Sequence, residues 1–426
     1  MKRAATALFA LTVLSAAAPL TAEQDHQRLL DLLGIKAPLR PGVSGDPKAP
    51  NAYNTDEAKA GPSTPLPDPL LLADGGRVTT PSVWWQTRRP QIARAYEDEV
   101  YGRVPDDAPA PRWHVTDSVS EDVGGVAATT RHLVGHVGRG GRTLDIGLTI
   151  TTPANAKGRV PVVLLLLPFK LPFKIVSTWR ELVLAKGWAA AQLDVYSIQA
   201  DSGDGLGGGI IALTARGKPR GLHDWGALRA WAWGASRAID DFETDPALDA
   251  TRVAVAGHSR FGKTALVAMA FDRRIAAGFI SSSGAGGAAP FRRNYGERIE
   301  NLTGGEYYWF AGALLKYSGP KTVDDLPVDT NELIALCAPR AVFIGVGSNG
   351  DPWVDPHGMF LAEVAAGPVY RLLGRQDLGS ETMPAINAGL LTGDLAFRQH
   401  EQGHTPEPNW PYFLDFAQRA FAAGLH

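Results

Sequence analysis

The stretch VAVAGHSRFGK, Val253 to Lys263, decides the fold. Val253–Ala256 is a short apolar run of strand type, and Ser259–Phe271 reads as a helix. Gly257 ends the strand, so Ser259 falls on the turn between the two elements. A serine on a tight strand-to-helix turn has its hydroxyl lifted above a sheet, with a small residue before it to avoid a clash. The adjoining helix N-terminus offers N–H groups and a positive dipole end to a developing oxyanion. The pattern departs from G-x-S-x-G, because Phe261 occupies the second glycine's slot and Gly262 comes one place late. A serine is also a good helix N-cap, so the nucleophile reading needs partners elsewhere in the chain.

Outward from this stretch, strands and helices alternate. Val160–Leu167 (VPVVLLLL) is a continuous apolar run, as in strands buried on both faces. A helix follows at about Ser177–Lys186, a strand at Trp188–Val195 and a second helix at about Asp224–Glu243. Gly278–Ser282 and Ala341–Val346 complete the expected strands. Upstream, Arg112–Thr116, Ala127–Val137 and Arg142–Thr152 are strand-like, the last two joined by a glycine turn. Alternation of this kind implies an α/β fold, a three-layer sandwich with a mostly parallel central sheet. At Trp84–Tyr96 the apolar residues recur at helical spacing, and Pro90 must interrupt or start a helix there.

A serine nucleophile on such a sheet takes its acid after a late strand and its histidine from a loop near the end. Beyond Ala341–Val346 lie Asp351 and Asp355. Asp355 precedes Pro356 and suits a helix cap, which favours Asp351 as the acid. His404, His400 and His357 compete as the base. His404 is preferred because it lies in QHEQGHTPEPNW, a loop by its Gly and Pro content. His400 to His404 also spells the zinc motif H-E-x-x-H, which works only on a helix. Gly403 and Pro406 oppose a helix there, and no other feature requires a metal or organic cofactor.

The chain has 426 residues, 20% charged, with a formal charge of −2 and one cysteine, Cys337. Near-neutrality gives no nucleic-acid footprint, and a single cysteine permits no internal disulfide. Lys2 and Arg3 precede an apolar run from Ala4 to Leu20 that ends in small residues. Residues 1–22 therefore read as a secretory signal peptide, which implies a periplasmic or secreted protein with no membrane span in its mature form. Residues 23–80, rich in Pro, Gly and Asp, read as a short helix at about Gln27–Leu33 followed by an extended surface strap. Residues 81–426 form the catalytic domain.

Together these residues resemble the glucuronoyl esterases, carbohydrate esterase family 15, in their bacterial form and within the α/β-hydrolase superfamily. The resemblance rests on RRPQIARAYEDEVYGRVP (88–105), DWGALRAWAWGASRAIDDFETD (224–245), GHSRFGK (257–263), SGAGGAA (283–289), RRNYGE (292–297), DPWVDP (351–356) and the late His404. It implies hydrolysis of esters of (4-O-methyl-)glucuronic acid, as in lignin–carbohydrate linkages of xylan in plant cell walls. Ser259 is then the nucleophile, His404 the base and Arg260 an oxyanion donor, while Lys263, Glu297 and Trp353 lie around the sugar.

Two departures matter. Many members carry the triad glutamate just before the Ser-Gly of SGxGG, where this chain has Ser282, and Asp351 matches a second acid position of the bacterial branch. The loop PFKLPFKIVSTW (168–179) also differs from relatives, so Phe169, Lys170 and Phe173 near the pocket mouth either meet substrate or simply pack. Another carbohydrate or small-molecule carboxylesterase, a zinc hydrolase and a non-catalytic uronate-binding relative are the alternatives.

Overall fold

The computed structural model describes residues 20–61, 64–172 and 177–424. The leader expected at residues 1–22 lies, up to residue 19, outside the described residues. One sheet of ten strands runs through the described residues. The strands are β1 (Arg112–Val123), β2 (Val126–Arg139), β3 (Arg142–Pro153), β4 (Val160–Leu166), β5 (Ala189–Leu193), β6 (Leu248–His258), β7 (Ile275–Ser281), β8 (Ala341–Gly347), β9 (Gly389–Leu390) and β10 (Leu395–His400). Their spatial order is β1-β2-β3-β5-β4-β6-β7-β8-β10-β9. From β5 through β10 the neighbours run parallel, whereas β1–β3 form an antiparallel ribbon at one edge and β9 an antiparallel stub at the other.

The apolar runs of the inner strands serve two cores at once. In β4, Val162, Leu164 and Leu166 pack into one core, and Val163 and Leu165 into the other. The same alternation divides Val253 and Val255 from Ala254 and Ala256 in β6, and Val342, Ile344 and Val346 from Ala341 and Phe343 in β8. Successive strand side chains point to opposite faces, so a strand covered on both sides is apolar throughout. Burying each Val or Leu contributes about 1.5–3 kcal/mol. Helices Ala227–Thr244, Arg260–Phe271, Thr330–Cys337 and Pro356–Leu372 cover one face, while Trp179–Ala185 and Trp410–Ala422 cover the other. This is the α/β sandwich expected from the sequence.

Strand order reverses around β4, which has β5 on one side and β6 on the other. A crevice opens beyond the carboxyl ends of parallel strands at such a reversal, and β6 delivers Ser259 there.

Three elements differ from expectation. The last core strand is β10, with Leu395 and Phe397 in one core and Ala396 in the other; its polar second half, Arg398-Gln-His400, conceals it in the sequence. β1 continues past Thr116 to Val123 because it pairs with β2 along that length, although its side chains are mostly exposed. The N-terminal helix spans Ala22–Leu32, starting earlier than Gln27 because Thr21 and Gln24 form a capping box. Pro90 sits in the first turn of the helix Arg89–Glu99, after a π-helical turn at Trp84–Arg88.

Candidate active site

Ser259 has φ 58° and ψ −127°. A non-glycine residue rarely adopts this conformation, and holding it costs about 1–3 kcal/mol. The surroundings enforce it. The Ser259 N–H donates to the Ser281 carbonyl at 2.9 Å, tying the turn to the end of β7. A Cβ on Gly257 would stand 2.0 Å from the Phe261 carbonyl oxygen, so only glycine fits where the helix folds back on the strand. The displaced second glycine has its own reason. A Cβ on Gly262 would meet the Ser281 carbonyl at 2.7 Å, whereas the Phe261 ring packs between Tyr196 and Trp231 at centroid distances of 5.9 and 5.8 Å.

Asp351 and His404 come together beyond β8 and β10. His404 Nδ1 lies 2.8 Å from Asp351 Oδ1. The Ser282 hydroxyl donates to Asp351 Oδ2 at 2.7 Å, and the Gly347 N–H donates to the same oxygen at 3.0 Å. Asp351 is buried, while the His404 ring is 41% exposed and faces the cleft side of the pair. Ser282, where the resemblance leads one to expect glutamate, thus donates to the Asp351 carboxylate and helps to orient it. The His404 loop crosses the end of β8 closely. Ser348 and Asn349 N–H groups donate to the Gln402 carbonyl, and a Cβ on Gly347 would stand 2.3 Å from the Gly403 oxygen.

The competing residues are engaged elsewhere. Asp355 accepts from Gly358 N–H at 2.9 Å as a helix cap and from Arg293 Nε at 2.8 Å. His400 ends β10 with Nε2 2.9 Å from the Thr405 carbonyl and Nδ1 accepting from Gln402 N–H at 3.2 Å. His357 lies 3.0 Å from Glu57. His400 and His404 do not share a helical face, and among the described residues no group of His, Cys, Asp or Glu is arranged to hold a metal ion.

A polar cleft of about 520 Å³ opens at Ser259 and His404. Arg260, Lys263, Glu297 and Trp353 all line it. Lys263, a buried ammonium, donates to Glu297 at 2.7 Å and to the Ala285 carbonyl at 2.5 Å. Glu306 also lines the cleft, and burial, reinforced by the Glu297 charge, pushes its carboxyl up to about 6. The N-terminal strap contributes Gly42 and Val43 to the wall, held by Val43–Asn301 backbone-to-amide bonds.

Sequence reasoning missed several participants. Asp201 accepts from Arg260 Nη1 at 2.5 Å, Tyr196 O–H at 2.9 Å, Tyr308 O–H at 3.2 Å and Trp309 Nε1 at 2.6 Å. Arg260 also lies over the Trp309 ring, 5.2 Å from its centroid. His258, directly before Ser259, packs against the His404 ring at a centroid distance of 4.2 Å with the planes tilted by 53°, and its Nδ1 lies 3.0 Å from Ser281 Oγ. Burial and then the neighbouring His404 push its imidazole down to about 3, so it stays neutral beside His404. In the divergent loop, Leu171 and Pro172 line a hollow together with Ser259, whereas the Phe169 ring lies against Gly147 of β3; Phe173 lies outside the described residues.

The strand order, the strained serine after β6 and the late acid–histidine pair define an α/β-hydrolase. A family model described as glucuronyl esterase, fungi, matches residues 136–374. A CE15 glucuronoyl esterase from Teredinibacter turnerae has 45% sequence identity and a TM-score of 0.89, covering 94% of this chain and 100% of that one. Carbohydrate esterase MZ0003, from an unknown prokaryotic organism, is 33% identical over 413 residues, 88% of this chain and 94% of its own length. A 4-O-methyl-glucuronoyl methylesterase of Schizophyllum commune is 31% identical over 321 residues, 72% of this chain and 74% of its own. The chain belongs to the glucuronoyl esterases of carbohydrate esterase family 15, and it is a carboxylic ester hydrolase of that type.

Proposed function

We infer that this chain hydrolyses esters of (4-O-methyl-)glucuronic acid borne on plant cell-wall xylan, with Ser259, His404 and Asp351 as its triad. The observation that carries this reading is the shared cleft: a strained serine and an Asp-supported histidine open onto a polar hollow lined by Lys263, Glu297, Arg260 and Trp353. A sugar ring presents hydroxyls, which suit the Lys263–Glu297 pair, and an apolar face, which suits an indole.

In the first half of the reaction Ser259 Oγ bonds to the ester carbonyl carbon while His404 takes the hydroxyl proton. The oxyanion is met by Arg260 and by the helix N-terminus behind the serine. Collapse breaks the carbon–alkoxy bond, and His404 returns the proton to the departing alcohol. Water then repeats the sequence on the acyl-serine, releasing the uronate. Asp351 holds His404 in the tautomer with Nδ1 protonated and supports the imidazolium as it forms. Lys263, Glu297 and Trp353 hold the sugar.

An exported protein fits this substrate. Residues 1–22 serve as the leader, residues 23–80 as an extension laid over the catalytic domain 81–426, and the mature protein works in the periplasm or outside the cell. No helix among the described residues is long and apolar enough to cross a membrane. The test is hydrolysis of methyl and benzyl glucuronate against simple acetate esters. Turnover of the glucuronates that is lost in Ser259→Ala and His404→Ala supports the reading, and preference for acetates by a folded wild type refutes it.

A further inference from the structure

The sheet is not covered to its edge. Helices Trp179–Ala185 and Trp410–Ala422 pack on the inner strands, and on that side Leu184 closes against Val123 and Ala128. Beside this contact the outer strands keep an open trough of about 440 Å³. Strand register sets its floor. Val119, Thr130, Thr151 and Ala190 are cross-strand neighbours over β1, β2, β3 and β5, and His132, Thr149 and Gln192 form the adjacent row. The Phe169 ring lies over Gly147 of β3, where a Cβ would stand 2.8 Å from it, and stays 45% exposed. Gln192 Nε2 donates to the Leu167 and Pro168 carbonyls at 3.2 and 3.4 Å, which tethers the segment carrying this ring. Arg180 and Glu121 pair at 2.6 Å, so the guanidinium and the carboxylate of the trough cancel. Glu121 also accepts from the Thr130 hydroxyl, and the Thr151 hydroxyl lies 2.8 Å from that of Thr130. The Thr149 hydroxyl and the Gln192 side-chain oxygen have no hydrogen-bond partner among the described residues.

We propose that this trough is a second, non-catalytic site that holds neutral pyranose rings of a polysaccharide. A pyranose has a C–H face, which an exposed phenyl ring covers, and a rim of hydroxyls that both donate and accept. The Arg180–Glu121 pair sets donors and acceptors side by side without a net charge, so an acidic or a basic chain gains little from it. Thr149 and Gln192 are free to complete the set. A lipid chain or an apolar peptide would cut these polar groups off from water without replacing its hydrogen bonds. The trough shares no residue with the polar cleft. Trp179, however, lines both the trough and the hollow that reaches Ser259. A polysaccharide held here therefore stays near the serine without entering the cleft.

The experiment is calorimetric titration with xylohexaose and with cellohexaose. It uses the wild type, Phe169→Ala and Thr149→Val in the trough, and Trp353→Ala in the cleft. Phe169 is exposed and Thr149 half-buried, and melting curves of each variant establish that it is folded. The wild type should bind a neutral hexasaccharide saturably and with little dependence on salt. Preference for xylohexaose marks a xylan backbone as the source of the rings, and preference for cellohexaose marks a glucan. Phe169→Ala should weaken binding about 10-fold or more and Thr149→Val about 2- to 10-fold, while Trp353→Ala binds as the wild type does. No saturable binding by the wild type overturns the proposal, as does unchanged binding in Phe169→Ala or a loss confined to Trp353→Ala. A dimer that sedimentation shows to dissociate in Phe169→Ala makes this face an interface between two copies of the chain, and overturns it too. None of these readings depends on turnover of a glucuronate, so the trough and the uronate reading of the cleft stand or fall separately.

Discussion

Replacing Asp351 by Asn is the most discriminating perturbation of the proposed triad. The wild-type carboxylate accepts from Ser282 and Gly347 through Oδ2 and meets His404 Nδ1 through Oδ1. An amide keeps the volume, and its oxygen satisfies the two buried donors. Its NH2 then faces His404, turning an acceptor into a donor, and the imidazole responds by protonating Nε2, the nitrogen that must take the serine proton. The charge supporting the imidazolium is lost as well. The wrong tautomer costs about 10³- to 10⁴-fold in kcat in a serine triad, which corresponds to roughly 4–5.5 kcal/mol of transition-state stabilisation. Asp355→Asn is the matched control. Asp355 and Arg293 form a buried pair, so breaking it destabilises the fold by about 3–5 kcal/mol with little effect on chemistry. The assay is steady-state hydrolysis of benzyl glucuronate at pH 7 alongside calorimetric melting of both variants. Asp351→Asn should melt near the wild type and be nearly inactive; Asp355→Asn should melt several degrees lower and keep kcat within a few-fold. An Asp351→Asn enzyme within about 10-fold of wild type would refute the assignment.

Asp201→Asn weakens the bond that fixes the Arg260 guanidinium, so kcat should fall about 10- to 100-fold. In an Arg260→Ala background the same change should cost almost nothing, and additive losses in the double-mutant cycle would show that Asp201 acts independently. Glu306, with its carboxyl pushed up to about 6, is neutral below that pH and charged above it. Inhibition by glucuronate should therefore weaken as pH rises through about 6 and stay flat in Glu306→Gln, as read from inhibition constants between pH 5 and 8. The raised value also means that the stability contribution of the protonated form is fully present below the usual glutamate range and lost above about 6. Glu306→Gln should accordingly melt higher than wild type at pH 7.5. Gly347→Ala drives a methyl group into the Gly403 carbonyl and displaces the neighbouring His404. A kcat loss of about 100-fold with KM largely kept is expected, and unchanged kinetics would show that the loop adapts freely.

The sheet's centre was legible because β4, β8 and residues 253–257 of β6 are buried on both faces and hence apolar throughout. β10 was not, since Arg398, Gln399 and His400 look like loop residues until their partners are known. Those partners are Asn409, Gly347 and Thr405, and none is implied by local pattern. The same contrast divides the site. Ser259 announces itself through a strand and a helix in direct succession, and chain order then leads to Asp351 and His404. The preference for Asp351 rested on the capping role of Asp355, a role that the Gly358 N–H bond gives it. Phe261 in a glycine slot looked like a defect, yet its ring fills space between Tyr196 and Trp231. Asp201 could not be found from sequence. It draws donors from Tyr196, Arg260, Tyr308 and Trp309, which only tertiary folding brings together. In the divergent loop the sequence draws attention to Phe169, Lys170 and Phe173, whereas Leu171 and Pro172 are the residues that line a hollow with Ser259.

Gly42 and Val43 on the strap share one cleft with His404, so the hollow is closed by the two ends of the polypeptide. No fragment that has folded only from the amino end, and none that has lost its first sixty residues, contains a complete binding wall. Ester hydrolysis therefore reports the strap and the His404 loop together. Removing the strap that carries Gly42 and Val43 would open the cleft wall while every strand of the sheet, from Arg112 to His400, stays in the chain.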